Sequence, residues 1–227
     1  MKILAIEFSS EQRSVAVLVD GRVLGVATES STRATPAIGL AGRALTEAGL
    51  EREEIECLAI GLGPGSYTGI RSAIALAQGW QLASSPNGVK LLGLSSAACL
   101  AEEAQARGWF GAVNVIIDAQ RNEFYLAGYE VGPGGCKEVQ PLKLAGFEEA
   151  RARSAAGAMM VGPEANRWFE AGRKLFPGAA MLGSLAVGCP DFVSGEKLEP
   201  IYLRETNFVK AAKPQRGTDA SGAHEKK

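Results

Sequence analysis

The segment Ile60–Ala77, IGLGPGSYTGIRSAIALA, puts three glycines and a proline (Gly61, Gly63, Pro64, Gly65) between an apolar run, Leu58–Leu62, and a helix starting near Thr68. A strand, a glycine turn and a helix N-terminus in that order turn backbone N–H groups outward, as an anion or phosphate cradle does. The spacing matches neither G-x-G-x-x-G nor the P-loop with its lysine. Ser9 and Ser10 could donate to a phosphate, although such serines more often fill a turn. The only histidine, His224, lies in a polar C-terminal stretch. That count excludes multi-histidine metal sites, and Ser-His-Asp or Cys-His chemistry in a folded core. Cys57, Cys99, Cys136 and Cys189 stand far apart with no C-x-x-C, which reads as reduced thiols of a cytosolic protein. No catalytic residue and no metal ligand set is expected.

At 227 residues the chain can bury one large core or two modest ones. The net charge of −1 is close to neutral, and lysines and arginines are scattered. A protein that grips RNA alone usually shows a basic face, so direct RNA binding is not expected. MKILAIEF is too short an apolar start for a signal peptide, and no apolar run approaches membrane-spanning length. A cytoplasmic protein without membrane contact is expected.

The elements that would position these residues come in two similar sets. Lys2–Glu7, Ser14–Val19 and Arg22–Thr28 read as strands, with Asp20-Gly21 as a two-residue hairpin turn. Ala112–Ile117 running into Asp118, then Glu123–Glu130 and Cys136–Leu142, repeats that pattern. Helices follow in each half, one of them predicted over Glu164–Lys174 after Gly162-Pro163. The predicted division is an N-terminal unit over 1–105, a second over 106–206, and a disordered polar tail over 207–227.

Two helices of the first unit carry unusual faces. The first starts with Thr35 as N-cap and Pro36 at the first helical position, and stops at Gly49. It shows two apolar stripes, Ile38/Ala41/Leu45/Ala48 and Ala37/Leu40/Ala44. The second, from Thr68 to about Ala83, has a narrow polar side and a small-residue stripe of Ala75, Gly79 and Ala83. Small residues four apart let a second helix come close. A glycine in mid-helix costs about 1 kcal/mol relative to alanine, which suggests a packing reason. A partner on these faces and burial inside the chain's own domain are both open from the residues.

The string GPGSYTGIR closely resembles the fingerprint of the TsaB (YeaZ) family, part of the bacterial machinery making threonylcarbamoyladenosine in tRNA. The resemblance extends to ILAIEFSS with SVAVLVDG, to LLGLSSAACLA, to DAQRNEFYLAGY and to the closing PIYLRE. Little specific similarity is seen between Ala145 and Val193. The family usually has Asp-Thr-Ser where this chain has Glu7-Phe8-Ser9, and often Arg-His-Ser where it has Arg33-Ala34-Thr35. The resemblance implies a non-catalytic scaffold and dimerisation subunit of the complex that transfers a threonylcarbamoyl group to the adenosine next to the anticodon. It implies a TsaD-like catalytic subunit and a TsaE-like ATPase as partners, a homodimer when alone, and tRNA contact only through the complex. It favours the partner reading of the two helices, with Ile38, Ala41, Leu45, Gly65, Tyr67, Thr68, Arg71, Ala75 and Gly79 at the interface.

The family also resembles the actin-like ATPase superfamily. That implies an α/β fold of two tandem ribonuclease-H-like subdomains, with mixed sheets flanked by helices. In active members of that superfamily, acids at corresponding strand ends face a shared cleft and handle metal and phosphate. Glu7 and Asp118 occupy those places here, with Ser9 and Ser10 beside the first, and such a pair could hold Mg²⁺ with nucleotide phosphates. The commoner role of such an acid is to cap a turn. No cofactor is expected for the chain alone, with ATP or ADP at the subunit junction left open. The rival function is a small actin-like kinase or ATPase using Glu7, Ser9 and Asp118 on Mg-ATP.

Overall fold

The computed structural model describes residues 1–30, 36–84 and 88–203. The tail expected over 207–227, His224, Arg204 and Arg33-Ala34-Thr35 lie outside the described residues. Strands β1 (Lys2–Glu7), β2 (Gln12–Val19), β3 (Arg22–Ser30), β4 (Cys57–Gly61) and β5 (Lys90–Leu94) form one sheet in the order β3-β2-β1-β4-β5. The first three are antiparallel, and β4 and β5 add in parallel. The β2–β3 hairpin turns at Asp20-Gly21, both at positive φ (49° and 80°), the conformation a tight two-residue hairpin requires.

A second sheet repeats the plan. β6 (Gly111–Asp118), β7 (Glu123–Gly132), β8 (Gly135–Gly146), β9 (Met159–Gly162) and β10 (Arg173–Lys174) take the order β10-β9-β6-β7-β8, again three antiparallel strands plus two in parallel. The chain is therefore α/β with two tandem mixed sheets, the architecture expected from the repeated strand–acid–turn–strand pattern. A helix predicted over Glu164–Lys174 is corrected: α5 spans only Ala165–Trp168. Phe169 turns into the core, and Arg173-Lys174 pairs with Val161-Gly162 as an edge strand that aims Leu175 inward.

The sheets follow the two halves of the sequence, but the helices cross between them. α3 (Ser96–Ala106) buries Ala97, Leu100, Ala101 and Ala104 against the second sheet. α6 (Ala179–Ala186) returns to pack Ala179, Leu182 and Ala186 on Ile3, Ala5 and Leu18 of the first. Cys99 of α3 joins that same cluster, so α3 has one face on each half. The boundary expected between 105 and 106 falls at the end of this shared helix.

α1 (Ala37–Ala48) starts one residue later than predicted, with Pro36 rather than Thr35 at its N-cap. Its two expected apolar stripes merge into a single face, since Leu40, Ala41, Ala44 and Leu45 are adjacent on the helix surface and all pack in the first core. Only Ile38, 72 % exposed, is left outside. α2 (Tyr67–Ala83) is capped by Ser66, whose Oγ accepts from the Gly69 N–H at 3.3 Å. It buries Ile70, Ala73, Ile74, Ala77 and Trp80.

Candidate functional site

The glycine turn after β4 is built around the end of β1. Gly65 and Gly69 lie so close to that strand that a Cβ on either would stand 2.1 Å from the Ser9 carbonyl oxygen and 2.0 Å from that of Phe8. Only a residue without a side chain allows this approach. Two of the turn's N–H groups have protein acceptors: Ser66 N–H donates to the Ser9 carbonyl at 2.7 Å, and Gly63 N–H to Ser96 Oγ at 3.1 Å. Those two groups are therefore not offered to an anion. Its glycines serve close packing of backbone on backbone.

Glu7 sits beneath that turn, fully buried. Its carboxyl lies over Gly61, where a Cβ would come within 2.1 Å of Oε2. The Ser9 N–H donates to Oε1 and the Ser96 hydroxyl to Oε2, each at 2.7 Å. Ser96 in turn takes the Gly63 N–H on its oxygen and donates its own N–H to the Gly63 carbonyl at 2.9 Å. One carboxyl thus ties the β1 turn, the glycine turn and the start of α3 together. Burial pushes the Glu7 carboxyl above the usual carboxylate range, against the hydrogen bonds from Ser9 and Ser96 that stabilise its charge. Ser96 was not among the predicted site residues. Its only sequence signal is a serine pair at a strand–helix junction.

Asp118 holds the matching place in the second half. Its Oδ1 accepts from the Gln120 N–H at 2.6 Å, two residues on, as Glu7 accepts from Ser9. Both acids thus cap their own turns. Between the halves runs a cleft of about 640 Å³ lined by Ser9, Ser10, Asp118 and Tyr67, among others. Ser10 donates its hydroxyl to the Gln12 carbonyl at 2.8 Å. Glu7 does not line the cleft, so of the four residues expected near a nucleotide, Ser9, Ser10 and Asp118 meet there. Arg13, Glu164 and Arg167 also line it and were not predicted. Burial holds the Glu164 carboxyl above its usual range.

The residues expected at an interface divide by burial. Ala41 and Leu45 lie in the first core and offer nothing to a partner, because they belong to the inward face of α1. Gly65 is half-buried against Ser9. Tyr67, Thr68, Arg71, Ala75 and Gly79 are exposed along one side of α2, ending near Leu82, 88 % exposed. A Cβ on Gly79 would meet nothing within 4 Å, so no packing among the described residues explains a glycine there. At the head of this face the Arg71 guanidinium lies 4.1 Å from the Tyr67 ring centroid. Its Nε donates to the Tyr202 hydroxyl at 3.1 Å, and Tyr202 stacks on Tyr67 at 5.5 Å. Tyr202 was missed as a site residue, although it lies in the PIYLRE string.

Comparison with known proteins places this geometry. A family model described as TsaD, tRNA N6-adenosine threonylcarbamoyltransferase, matches residues 26–201. The tRNA threonylcarbamoyladenosine biosynthesis protein TsaB of Escherichia coli strain K12 is 30 % identical over 225 residues, covering 90 % of this chain and 95 % of that protein. The chain belongs to the TsaB family. A second member, from Bacillus subtilis strain 168, is 29 % identical over 148 residues, 62 % of this chain and 60 % of the relative. Among solved structures, YeaZ from Pseudomonas aeruginosa superposes with a TM-score of 0.76 at 28 % identity, covering 89 % of this chain and 99 % of its own. The family's place in tRNA threonylcarbamoyladenosine biosynthesis is the one its relatives' names carry. Among the described residues no helix is long and apolar enough to cross a membrane.

Proposed function

We propose that this chain is a non-catalytic scaffold subunit of the assembly that transfers a threonylcarbamoyl group to the adenosine next to the tRNA anticodon. The observation that carries this is the exposed side of α2. A glycine with open space around it, small residues beside it and a Tyr–Arg–Tyr cluster at its head make a surface a second helix can approach closely. A TsaD-like catalytic subunit is the partner proposed for it, with a second copy of the chain taking that place when the chain is alone. A TsaE-like ATPase joins the assembly, and tRNA is held by the assembly rather than by this subunit. ATP or ADP, if either is held, lies at the subunit junction.

The chemistry of the chain itself supports an accessory role. Glu7 is buried away from the cleft and occupied in bracing turns. The kinase or ATPase reading requires it to reach Mg²⁺ beside Asp118. The test is reconstitution of tRNA modification from purified subunits, with this chain, without it, and with Gly79→Leu. A Cβ at position 79 meets no atom of the described residues within 4 Å, so the leucine projects from the open side of α2. Loss of partner binding and of modification, with the fold intact, supports the scaffold. Magnesium-dependent ATP hydrolysis by the pure chain that vanishes in Asp118→Asn moves the assignment to the enzyme.

A further inference from the structure

The cleft between the two halves holds charges that meet no opposite charge of their own. Ser9 and Arg13, from the β1 turn and β2, line one wall together with Tyr67 and Thr68 at the head of α2. Asp118 and Glu164 line the other. That second wall is built by the end of β6 and the start of α5, while α4 (Phe147–Ala155) packs on β7 and β8 and lends it nothing.

The first wall lacks an acceptor. Arg13 makes no ion pair among the described residues, and its Nε is buried without a hydrogen-bond partner. A guanidinium N–H can only donate, so this one calls for an oxygen. The Ser9 hydroxyl, in a residue 3 % exposed, is also without a partner. The nearby Glu7 carboxyl is taken by the Ser9 N–H and by Ser96. Buried polar atoms are normally satisfied. α2 turns its positive end to the same wall, with no acid in its first turn.

The second wall lacks a cation. Glu164 takes the Asp118 N–H on Oε2 at 3.4 Å and makes no ion pair among the described residues. The charges that act on it, Asp118 and Glu11, are both acids, and Arg167 of the same wall is not among them. Glu11 is already paired with Lys174 at 2.9 Å. Arg13 and Glu164 do not pair with each other, so the cleft keeps the two unmatched charges apart.

We propose that this cleft binds an amino acid as its zwitterion, with the carboxylate on Arg13 and the Ser9 hydroxyl and the ammonium on Glu164. A carboxylate suits both the guanidinium fork and the end of α2. An ammonium beside Glu164 supplies the positive charge that its acidic neighbours do not. A nucleoside triphosphate sets its own negative charge against Glu164 and Asp118, and a bare cation leaves Arg13 and Ser9 unsatisfied.

The probe is L-serine, because Ser10 and Thr68 line the rest of the cleft with hydroxyl groups. It is titrated into the full chain while the backbone amide signals of Ser9 and Glu164 are followed by NMR. 3-Hydroxypropionate, which lacks the ammonium, ethanolamine, which lacks the carboxylate, and Mg-ATP are titrated in parallel. The expected result is saturable shifts with L-serine, and binding at least about tenfold weaker for either truncated compound and in Arg13→Met or Glu164→Gln. Ser9→Ala, which removes one hydroxyl, gives the same test with a smaller loss should Arg13→Met not fold. No saturation with L-serine overturns the proposal. So does equal binding of 3-hydroxypropionate, which makes the cleft a plain anion site. Mg-ATP that binds more tightly than L-serine and is lost in Arg13→Met also overturns it, and makes the cleft a nucleotide site.

Discussion

At the scale of single residues, Glu7 decides what the glycine turn can do. An acid whose folded-state carboxyl is held above its unfolded value of about 4.3 binds its proton more tightly when folded. Its stabilisation is therefore fully present at low pH and is lost as pH rises above the unfolded value, until the folded carboxyl ionises. Burial is the cause, and Glu164 adds a change of the same sign. Glu7→Gln keeps the shape and removes the charge. Urea unfolding from pH 4.5 to 8 should show a smaller fall in stability for Glu7→Gln than for the native chain, with the variant at least equal at pH 8. A steeper fall in the variant would mean that Glu7 is stabilised as a carboxylate. Glu7→Ala, by contrast, leaves a cavity and strands the Ser9 and Ser96 donors, and should cost about 2–4 kcal/mol at pH 4.5 and less at higher pH, where the native carboxyl must ionise.

At the scale of elements, the glycines of the fingerprint and of α2 have opposite reasons. Gly65→Ala and Gly69→Ala drive a methyl into a carbonyl of the β1 turn. Each should lower stability by about 3 kcal/mol or more. Gly79→Ala meets nothing and should raise the stability of the isolated chain by about 0.5–1 kcal/mol. Thermal melts of the three variants separate the cases, and a destabilised Gly79→Ala would show that α2 is buried on that side. How much of this was legible depends on range. The strands and the span of α2 could be read locally, from alternation, Asp20-Gly21 and the glycine turn. The sequence pattern of α1 showed two stripes because Ala37, Ala41 and Ala48 are too small to say which way a helix faces. α5 was overextended because the local stop signal in Glu164–Lys174, Gly172, lies four residues beyond the real end at Trp168, and the pairing of β10 with β9 is a tertiary contact. The Glu7–Ser96 bridge joins residues 89 apart in the chain, and no local signal announces such a contact.

At the scale of the whole molecule, the exchange of α3 and α6 makes one body of two repeated halves, and the described surface leaves one side of α2 without a partner. The same near-neutral charge that excludes a strong RNA footprint predicts little tRNA binding by the chain alone. In a filter-binding assay at physiological salt, retention of tRNA should appear only when the catalytic subunit is added. Tight, salt-sensitive retention by the chain alone would make it an RNA-binding subunit. The central claim is that this subunit acts by contact through α2 and not by chemistry of its own. It is tested most directly by measuring threonylcarbamoyladenosine formed on tRNA by the catalytic subunit and its remaining partners, with the native chain, with Asp118→Asn, or with Gly79→Leu. The native chain and Asp118→Asn should restore modification equally, while Gly79→Leu, folded, should leave it near the level seen without the chain. Full activity with Gly79→Leu alongside its loss in Asp118→Asn would contradict the claim.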